Sequence, residues 1–108
     1  MTTPMTTLCY IKKEDSYLML HRVSKDNDIN KDKWIGVGGH FEDNESPEEC
    51  LLREVYEETG LTIHNPRLCG IYDWMAAEDV RYLVFIYKAW EFDGVIRPSL
   101  EGDVRWIL

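Results

Sequence analysis

The sequence from residue 39 to residue 61, GHFEDNESPEECLLREVYEETGL, decides the fold and the chemistry of this chain. Following a glycine pair that ends at Gly39, it places Arg53 beside three glutamates at helical spacing, Glu54, Glu57 and Glu58. Because an α-helix turns by about 100° per residue, the three carboxylates share an arc about 100° wide. Like charges at this spacing repel one another, and a hard dication such as Mg²⁺, which prefers oxygen ligands and contacts phosphate, would offset that repulsion. The segment therefore predicts a helix with one edge suited to a divalent cation and polyphosphate.

Local end signals predict that this helix runs over Pro47–Thr59. Ser46 at the N-cap and Glu49 three residues later form a capping box, proline occupies the first helical position, and Gly60 supplies the C-terminal stop. A second flank of the helix is expected to pack on a sheet. Its side chains are Leu51, Leu52, Val55, Tyr56 and Thr59.

Two further residues of the helix lie on or beside the acidic edge. Arg53 can pair with Glu49 or Glu57, each four residues away, and would thereby orient a carboxylate. Cys50 falls on the carboxylate side, where a small residue fits near the site. No base is evident beside it that would make its thiol a nucleophile.

Segments rich in aliphatic and aromatic residues flank the helix and predict strands. Before the helix, the ranges 6–11 and 17–22 form a predicted hairpin, 24–33 is a predicted polar loop, and 34–39 is a short strand that breaks at glycines. After it we predict strands over 67–74, 80–90 and 104–108, with 75–79 connecting the first two. Strands, one helix and more strands indicate an α+β or mixed α/β sheet protein.

Length and composition limit the number of domains and the class of partner. At 108 residues the chain forms one domain over 1–108, and its 44% hydrophobic and 30% charged residues are typical of a folded soluble protein. The net charge of -8, with no basic cluster longer than Lys12-Lys13, argues against a nucleic-acid polymer or an anionic membrane as partner. No apolar run approaches a membrane span and no signal peptide is visible, so we expect a cytoplasmic protein. The cysteines at 9, 50 and 69 show no CxxC spacing and are predicted to be buried, reduced thiols.

The spacing within 39–61 resembles the signature of the Nudix hydrolases: G, five residues, E, seven residues, R-E, an aliphatic residue, any residue, E-E, any residue, G and an aliphatic residue. The matching positions are Gly39, Glu45, Arg53, Glu54, Val55, Glu57, Glu58, Gly60 and Leu61. Outside the signature, 18–22, 33–39, Glu101-Gly102 and Trp106 are similar to the MutT-type branch, especially bacterial oxidised-purine nucleoside triphosphate diphosphatases. The resemblance implies the Nudix fold, a mixed β-sheet packed against the signature helix.

Two departures from the family pattern stand out. His40 occupies the position after the glycine pair where many MutT-type members carry lysine. The lysine cation that would contact phosphate is therefore replaced by an imidazole. Family members also continue past a strand like 104–108 into a further helix, whereas this sequence ends inside the apolar run. We expect either a truncated form, with part of its apolar cover missing, or a domain that closes differently.

The resemblance implies roles for individual residues in an attack of water at phosphorus. The catalytic set is Arg53, Glu54, Glu57 and Glu58, with Glu54 as a ligand or as the base that deprotonates water. The set that would hold Mg²⁺, or Mn²⁺ in its place, is Gly39 through its carbonyl, Glu54, Glu57, Glu58 and Glu101. The substrate-binding set is Arg22, Trp34, Gly38, Gly39 and His40. Tyr72 and Trp74 are further candidates to stack on a purine, whereas Glu45, His21 and His64 are expected to be structural.

Three functions are compatible with these residues. The first is a Mg²⁺-dependent hydrolase of a nucleoside triphosphate that yields monophosphate and pyrophosphate and sanitises oxidised purine nucleotides such as 8-oxo-dGTP. The second acts on ADP-ribose or another nucleoside diphosphate derivative. The third is a nucleotide-sensing or interaction module without catalysis. In each, the partner is a small nucleotide, and the chain is expected to be a monomer or a homodimer.

Overall fold

A computed structural model describes residues 3–22, 34–97 and 102–108 of the chain, except for the side chains of residues 22, 76 and 103. Eight strands and one helix are present in these ranges. In chain order they are β1 (Met5–Lys13), β2 (Ser16–Arg22), β3 (Trp34–Ile35), α1 (Pro47–Thr59), β4 (Leu61–His64), β5 (Arg67–Ala77), β6 (Val80–Ala89), β7 (Glu91–Gly94) and β8 (Gly102–Ile107).

The strands form one large mixed sheet and one small sheet. The large sheet has the order β3-β2-β1-β6-β5, and β8 also pairs with β2. β1 runs parallel to β6 and antiparallel to β2, and the small sheet consists of the antiparallel pair β4 and β7. A mixed sheet beside one helix confirms the predicted fold class.

Helix α1 has the predicted bounds, and both of its ends are built as its sequence indicates. The Glu49 amide donates to Ser46 Oγ at 3.2 Å, and Glu49 Oε1 accepts from the Ser46 amide at 2.9 Å, which completes the capping box. Gly60 ends the helix with a left-handed φ of 85°. Leu51 and Val55 are buried against the sheet, but Leu52 and Tyr56 of the predicted packing flank are exposed, because the sheet covers only part of that flank.

Several predicted strand bounds were wrong. The predicted connection 75–79 shrinks to Glu78-Asp79, because β5 continues to Ala77 and Asp79 adopts a φ of 64°, which a short polar side chain tolerates. β4 and β7 were not predicted, and β6 ends before residue 90. Of the predicted strand 34–39, only Trp34–Ile35 pairs with β2. The predicted loop 24–33 lies outside the described residues.

The core lies on one side of the large sheet, where α1 packs. Alternate residues of β1 are buried on this side, and the side chains that join them from neighbouring elements are Leu18, Val37, Leu51, Val55, Leu61, Ile63, Tyr87 and Ala89. No helix in the described part of the chain is long and apolar enough to cross a membrane.

The three cysteines are all free, but they do not share one environment. Cys9 and Cys50 are buried, and burial raises the pKa of the Cys9 thiol to about 12. Cys69 is exposed on β5, so the prediction of a third buried thiol was wrong. Its strand lies at the edge of the sheet, which short-range sequence patterns do not indicate.

Candidate active site

The glycine pair meets helix α1 at the end of a segment that runs beside β1. The Thr7 amide donates to the Gly39 carbonyl at 2.9 Å, and the Cys9 amide donates to the Val37 carbonyl at 2.6 Å. A Cβ on Gly38 would lie 1.9 Å from the Thr7 carbonyl oxygen, and a Cβ on Gly39 would lie 2.3 Å from Glu54 Oε2. Gly38 therefore requires glycine, because backbone atoms of Thr7 and Leu8 occupy the space of a side chain, whereas a side chain at Gly39 would displace the Glu54 carboxylate.

The three helix carboxylates differ in burial along the acidic edge. Glu58 is 7% exposed, and its Oε1 accepts a 3.0 Å hydrogen bond from the Gly38 amide. The Glu54 side chain is 17% exposed and lies against Gly39. The Glu57 side chain is 56% exposed, so solvent and ions reach it freely. The edge thus runs from a buried carboxylate at the glycine pair to an open one at the surface.

Arg53 connects this edge to the loop that follows the glycine pair. Its Nε and Nη2 atoms donate to the two Glu45 carboxylate oxygens at 2.6 and 3.0 Å, the paired geometry typical of a guanidinium and a carboxylate. Nη1 donates to Glu54 Oε1 at 2.6 Å and to Glu57 Oε2 at 3.2 Å. Nη2 also donates to the His40 carbonyl at 3.0 Å. The guanidinium therefore fixes Glu54 and Glu57 close to each other.

The charges around Arg53 shift its own pKa and that of Glu45. Hydrogen bonds from Arg53 lower the pKa of Glu45 to about 2, and the same contacts raise the pKa of Arg53. Glu45, expected to be a structural loop residue, thus pairs with Arg53, a partner that was not predicted for it. The predicted pairing of Arg53 with Glu57 is present, whereas Glu49 is used by the capping box.

Cys50 lies beneath the glycine pair on the carboxylate side of the helix. Its Sγ is 3.7 Å from the Gly39 carbonyl oxygen and 3.5 Å from Thr7 Oγ1. Burial raises the pKa of this thiol, so it stays protonated at neutral pH and can donate to the carbonyl.

The chemistry of these donors fits a divalent cation. Four carboxylates, those of Glu42, Glu45, Glu54 and Glu57, lie within ion-pair distance of the single Arg53 guanidinium. The site thus holds an excess of negative charge on hard oxygen atoms, which are the ligands that Mg²⁺ prefers. Nowhere in ranges 3–22, 34–97 and 102–108 are three acidic, histidine or cysteine side chains already gathered as a metal site.

The aromatic candidates for base stacking lie on strands of the large sheet, on the face opposite α1. Trp34 stacks on His21 with ring centres 4.6 Å apart, and Trp74 stacks on Tyr82 at 5.6 Å. Because side chains alternate along a strand, the registers of β2 with β3 and of β5 with β6 direct these rings to the face opposite α1. Tyr72 occupies the same face.

The remaining predicted residues are placed as follows. The His40 ring lies 6.1 Å from that of Tyr82, and only its carbonyl meets Arg53. His64, expected to be structural, forms a 2.6 Å contact with Asp93 across the small sheet. The side chain of Arg22 and all of Glu101 lie outside the described residues.

Comparisons with known proteins identify the family and the fold. A model of the NUDIX domain matches residues 2–107. The uncharacterized Nudix hydrolase YvcI of Bacillus subtilis is 28% identical over 105 residues, which cover 93% of this chain and 63% of that protein. Diphosphoinositol polyphosphate phosphohydrolase 3-alpha of Mus musculus is 31% identical over 84 residues, covering 78% and 49%. The crystal structure of the mutator MutT protein of Bacillus halodurans superposes with a TM-score of 0.79 at 30% identity, covering 95% of this chain and 67% of that one. The chain thus spans less than two thirds of the length of these two curated relatives.

Proposed function

Because the chain belongs to the Nudix family, we propose that it is a divalent-metal-dependent hydrolase, in which water attacks a nucleoside triphosphate at phosphorus to release a monophosphate and pyrophosphate. The observation that carries this proposal is the set of four carboxylates around one guanidinium, next to a glycine pair against which Glu54 packs and in which Gly38 leaves no room for a side chain. Within this class, 8-oxo-dGTP is the substrate we favour, because the sequence outside the signature resembles bacterial oxidised-purine nucleoside triphosphate diphosphatases.

Some residues of the acidic edge are proposed to bind the cation, and others position the side chains that bind it. Glu54, Glu57 and Glu58, with the Gly39 carbonyl, are the proposed ligands of Mg²⁺ or Mn²⁺, and Glu101 is a further candidate. When bound, such a cation makes a coordinated water easier to ionise and offsets charge on phosphoryl oxygens.

Three contacts keep these groups in place before substrate arrives. Arg53 holds Glu54 and Glu57 together, and the Gly38 amide fixes Glu58. Glu54, packed against Gly39, is the candidate base for the attacking water. Phosphoryl transfer requires mainly position and electric field, and this arrangement supplies both.

A second substrate class is favoured by the placement of the aromatic rings. Strand register directs Trp34, Tyr72 and Trp74 to the sheet face opposite α1, the helix that carries the acidic edge. A substrate recognised chiefly through its phosphates would need no such ring, and one relative is named as a diphosphoinositol polyphosphate phosphohydrolase. ADP-ribose and other nucleoside diphosphate derivatives also belong to this second substrate class.

A hydrolysis screen tests both classes together. The purified chain is incubated with 8-oxo-dGTP, dGTP, ADP-ribose and a diphosphoinositol polyphosphate, each with Mg²⁺, with Mn²⁺ and with chelator. We expect pyrophosphate release from 8-oxo-dGTP to exceed that from dGTP and to stop in chelator. Faster release of orthophosphate from the inositol compound, or of two monophosphates from ADP-ribose, would select the second class. If none of the compounds is cleaved in a metal-dependent reaction, the proposal is contradicted, and the non-catalytic module is the function that remains.

A further inference from the structure

A short segment at the end of β7 packs against the C-terminal end of helix α1. We call residues 94–97 the capping segment. Gly94 has a φ of 109° and lies next to Gly60, which has a φ of 85°. A Cβ on Gly94 would lie 2.8 Å from the Gly60 carbonyl oxygen, and a Cβ on Gly60 would lie 2.7 Å from the Val95 carbonyl oxygen. Because neither glycine has a side chain, the capping segment lies in direct backbone contact with the helix end.

Arg97 is the residue that links the capping segment to the helix. Its amide donates to the Thr59 carbonyl at 3.0 Å, and its Nη2 donates to the Tyr56 carbonyl at 2.9 Å. The guanidinium carbon also lies 4.6 Å from the centre of the Tyr56 ring. The Tyr56 carbonyl already accepts from the Gly60 amide at 2.8 Å. Arg97 therefore supplies a donor to a carbonyl at the very end of the helix and a second donor to the carbonyl one turn earlier.

The last turn of α1 requires an external anchor because its own charges are unfavourable. The negative end of the helix dipole lies at this terminus, and Glu57 and Glu58 add two carboxylates to it. The turn contains no basic residue of its own. Arg97 brings a cation to this end from 41 positions after Tyr56 in the chain. The turn that Arg97 stabilises is thus the turn that carries two of the proposed cation ligands.

From these contacts we propose that Arg97 is a positioning residue for the divalent cation, because it fixes the last turn of α1 and thereby the directions of Glu57 and Glu58. This inference rests on the proposed function, which assigns both carboxylates to the cation. Their own side-chain contacts are made on another flank of the helix, where Glu58 accepts from the Gly38 amide and Glu57 from Arg53. Arg97 acts through the helix backbone, so it contacts neither the cation nor the substrate in this role.

Charge and geometry predict opposite effects for the loss of Arg97. Removal of a cation from the neighbourhood of several carboxylates would, by its charge alone, strengthen the binding of a divalent cation. A less ordered last turn would weaken that binding, because the two carboxylates would then have to be ordered when the ion binds. Since Arg97 is exposed, water and salt screen its charge, whereas its hydrogen bonds act directly on the helix. We therefore expect the geometric effect to be the larger one.

The primary test is a calorimetric titration of the full 108-residue chain with Mn²⁺ in the absence of substrate. In Arg97→Ala, we expect the dissociation constant of Mn²⁺ to rise at least about threefold. Arg97→Lys keeps the charge and one donor and should recover part of this loss. In hydrolysis assays, Arg97→Ala should raise the half-saturating Mg²⁺ concentration and leave kcat at saturating Mg²⁺ close to the natural value. Urea unfolding identifies conditions in which every variant is folded, so that a loss of stability is distinguished from a loss of affinity.

Arg67 provides the matched control. It is also an exposed arginine over an aromatic ring, with its guanidinium carbon 6.0 Å from the centre of the Trp90 ring, but it lies on the edge strand β5. Arg67→Ala removes the same charge and should leave Mn²⁺ binding unchanged. Unchanged or tighter Mn²⁺ binding by folded Arg97→Ala, an equal loss in Arg67→Ala, or a rise only in the KM for substrate would each overturn the inference. Absence of Mn²⁺ binding by the natural chain would contradict the proposed function itself, and the inference with it.

Discussion

Arg53 connects more parts of the candidate site than any other side chain in the described ranges. Its guanidinium reaches the loop through Glu45 and the His40 carbonyl, and it reaches the helix through Glu54 and Glu57. A planar fork of donors is needed for this, because a lysine ammonium is a point charge that cannot hold two carboxylates in fixed directions. The role of Arg53 is therefore one of positioning.

Substitution of Arg53 should affect turnover more than folding. In Arg53→Ala, Glu54 and Glu57 lose their common partner, and we expect kcat to fall by about 100-fold, the scale of effect that a misplacement of about 1 Å produces. Arg53→Lys restores the charge but not the fork, so it should recover only a small part of the loss. Steady-state kinetics and urea unfolding of the three proteins measure both effects. Unchanged kinetics in Arg53→Ala would mean that the arginine is only a surface ion-pair partner.

The partners of Arg53 also show what could be predicted at the residue scale. The helical wheel correctly places Glu54 and Glu57 on one edge because their spacing is local. Pairing with Glu45 was missed because this residue lies in a loop whose path is set by contacts with distant β1. The fixed position of Glu45 in the signature was the available signal. To predict which sheet face carries the aromatic rings, the strand register must be known, and the sequence does not specify it.

Helix α1 is the element that presents the whole acidic edge, and its first turn depends on the Ser46 cap. We expect Ser46→Ala to lower the free energy of unfolding by about 1 kcal/mol, because the Glu49 amide loses its acceptor. Ser46→Asp keeps an acceptor at the same position and should remain close to the natural stability. Urea unfolding followed by circular dichroism compares the three. Equal stability of Ser46→Ala would show that the observed hydrogen bonds do not stabilise the helix.

The helix could be predicted to the residue because its caps lie within it or next to it. β4 and β7 could not, since each has four residues and, among the described strands, pairs only with the other, about thirty residues away. Leu52 and Tyr56 illustrate a related limit. Periodicity indicates which flank of a helix is apolar, but the width of the sheet decides how much of that flank is covered, and the Tyr56 ring instead lies 4.6 Å from the Arg97 guanidinium.

At the scale of the whole molecule, the large sheet separates two sets of candidate residues. The helix side carries the acidic edge and the candidate hydrolytic site, and strand register directs Trp34, Tyr72 and Trp74 to the opposite face.

The central claim is that the acidic edge of α1 supports metal-dependent hydrolysis. The most direct test is the initial rate of cleavage of the best substrate as a function of Mg²⁺ concentration, for the natural chain, Glu57→Gln and Glu48→Gln. Glu48 is an exposed glutamate in the first turn of the helix, off the acidic edge, and serves as the matched control. We predict saturable Mg²⁺ dependence in the natural chain and in Glu48→Gln, and a rate lower by at least about 100-fold in Glu57→Gln with unfolding little changed. A Glu57→Gln protein that hydrolyses at the natural rate with the natural Mg²⁺ dependence would contradict the claim.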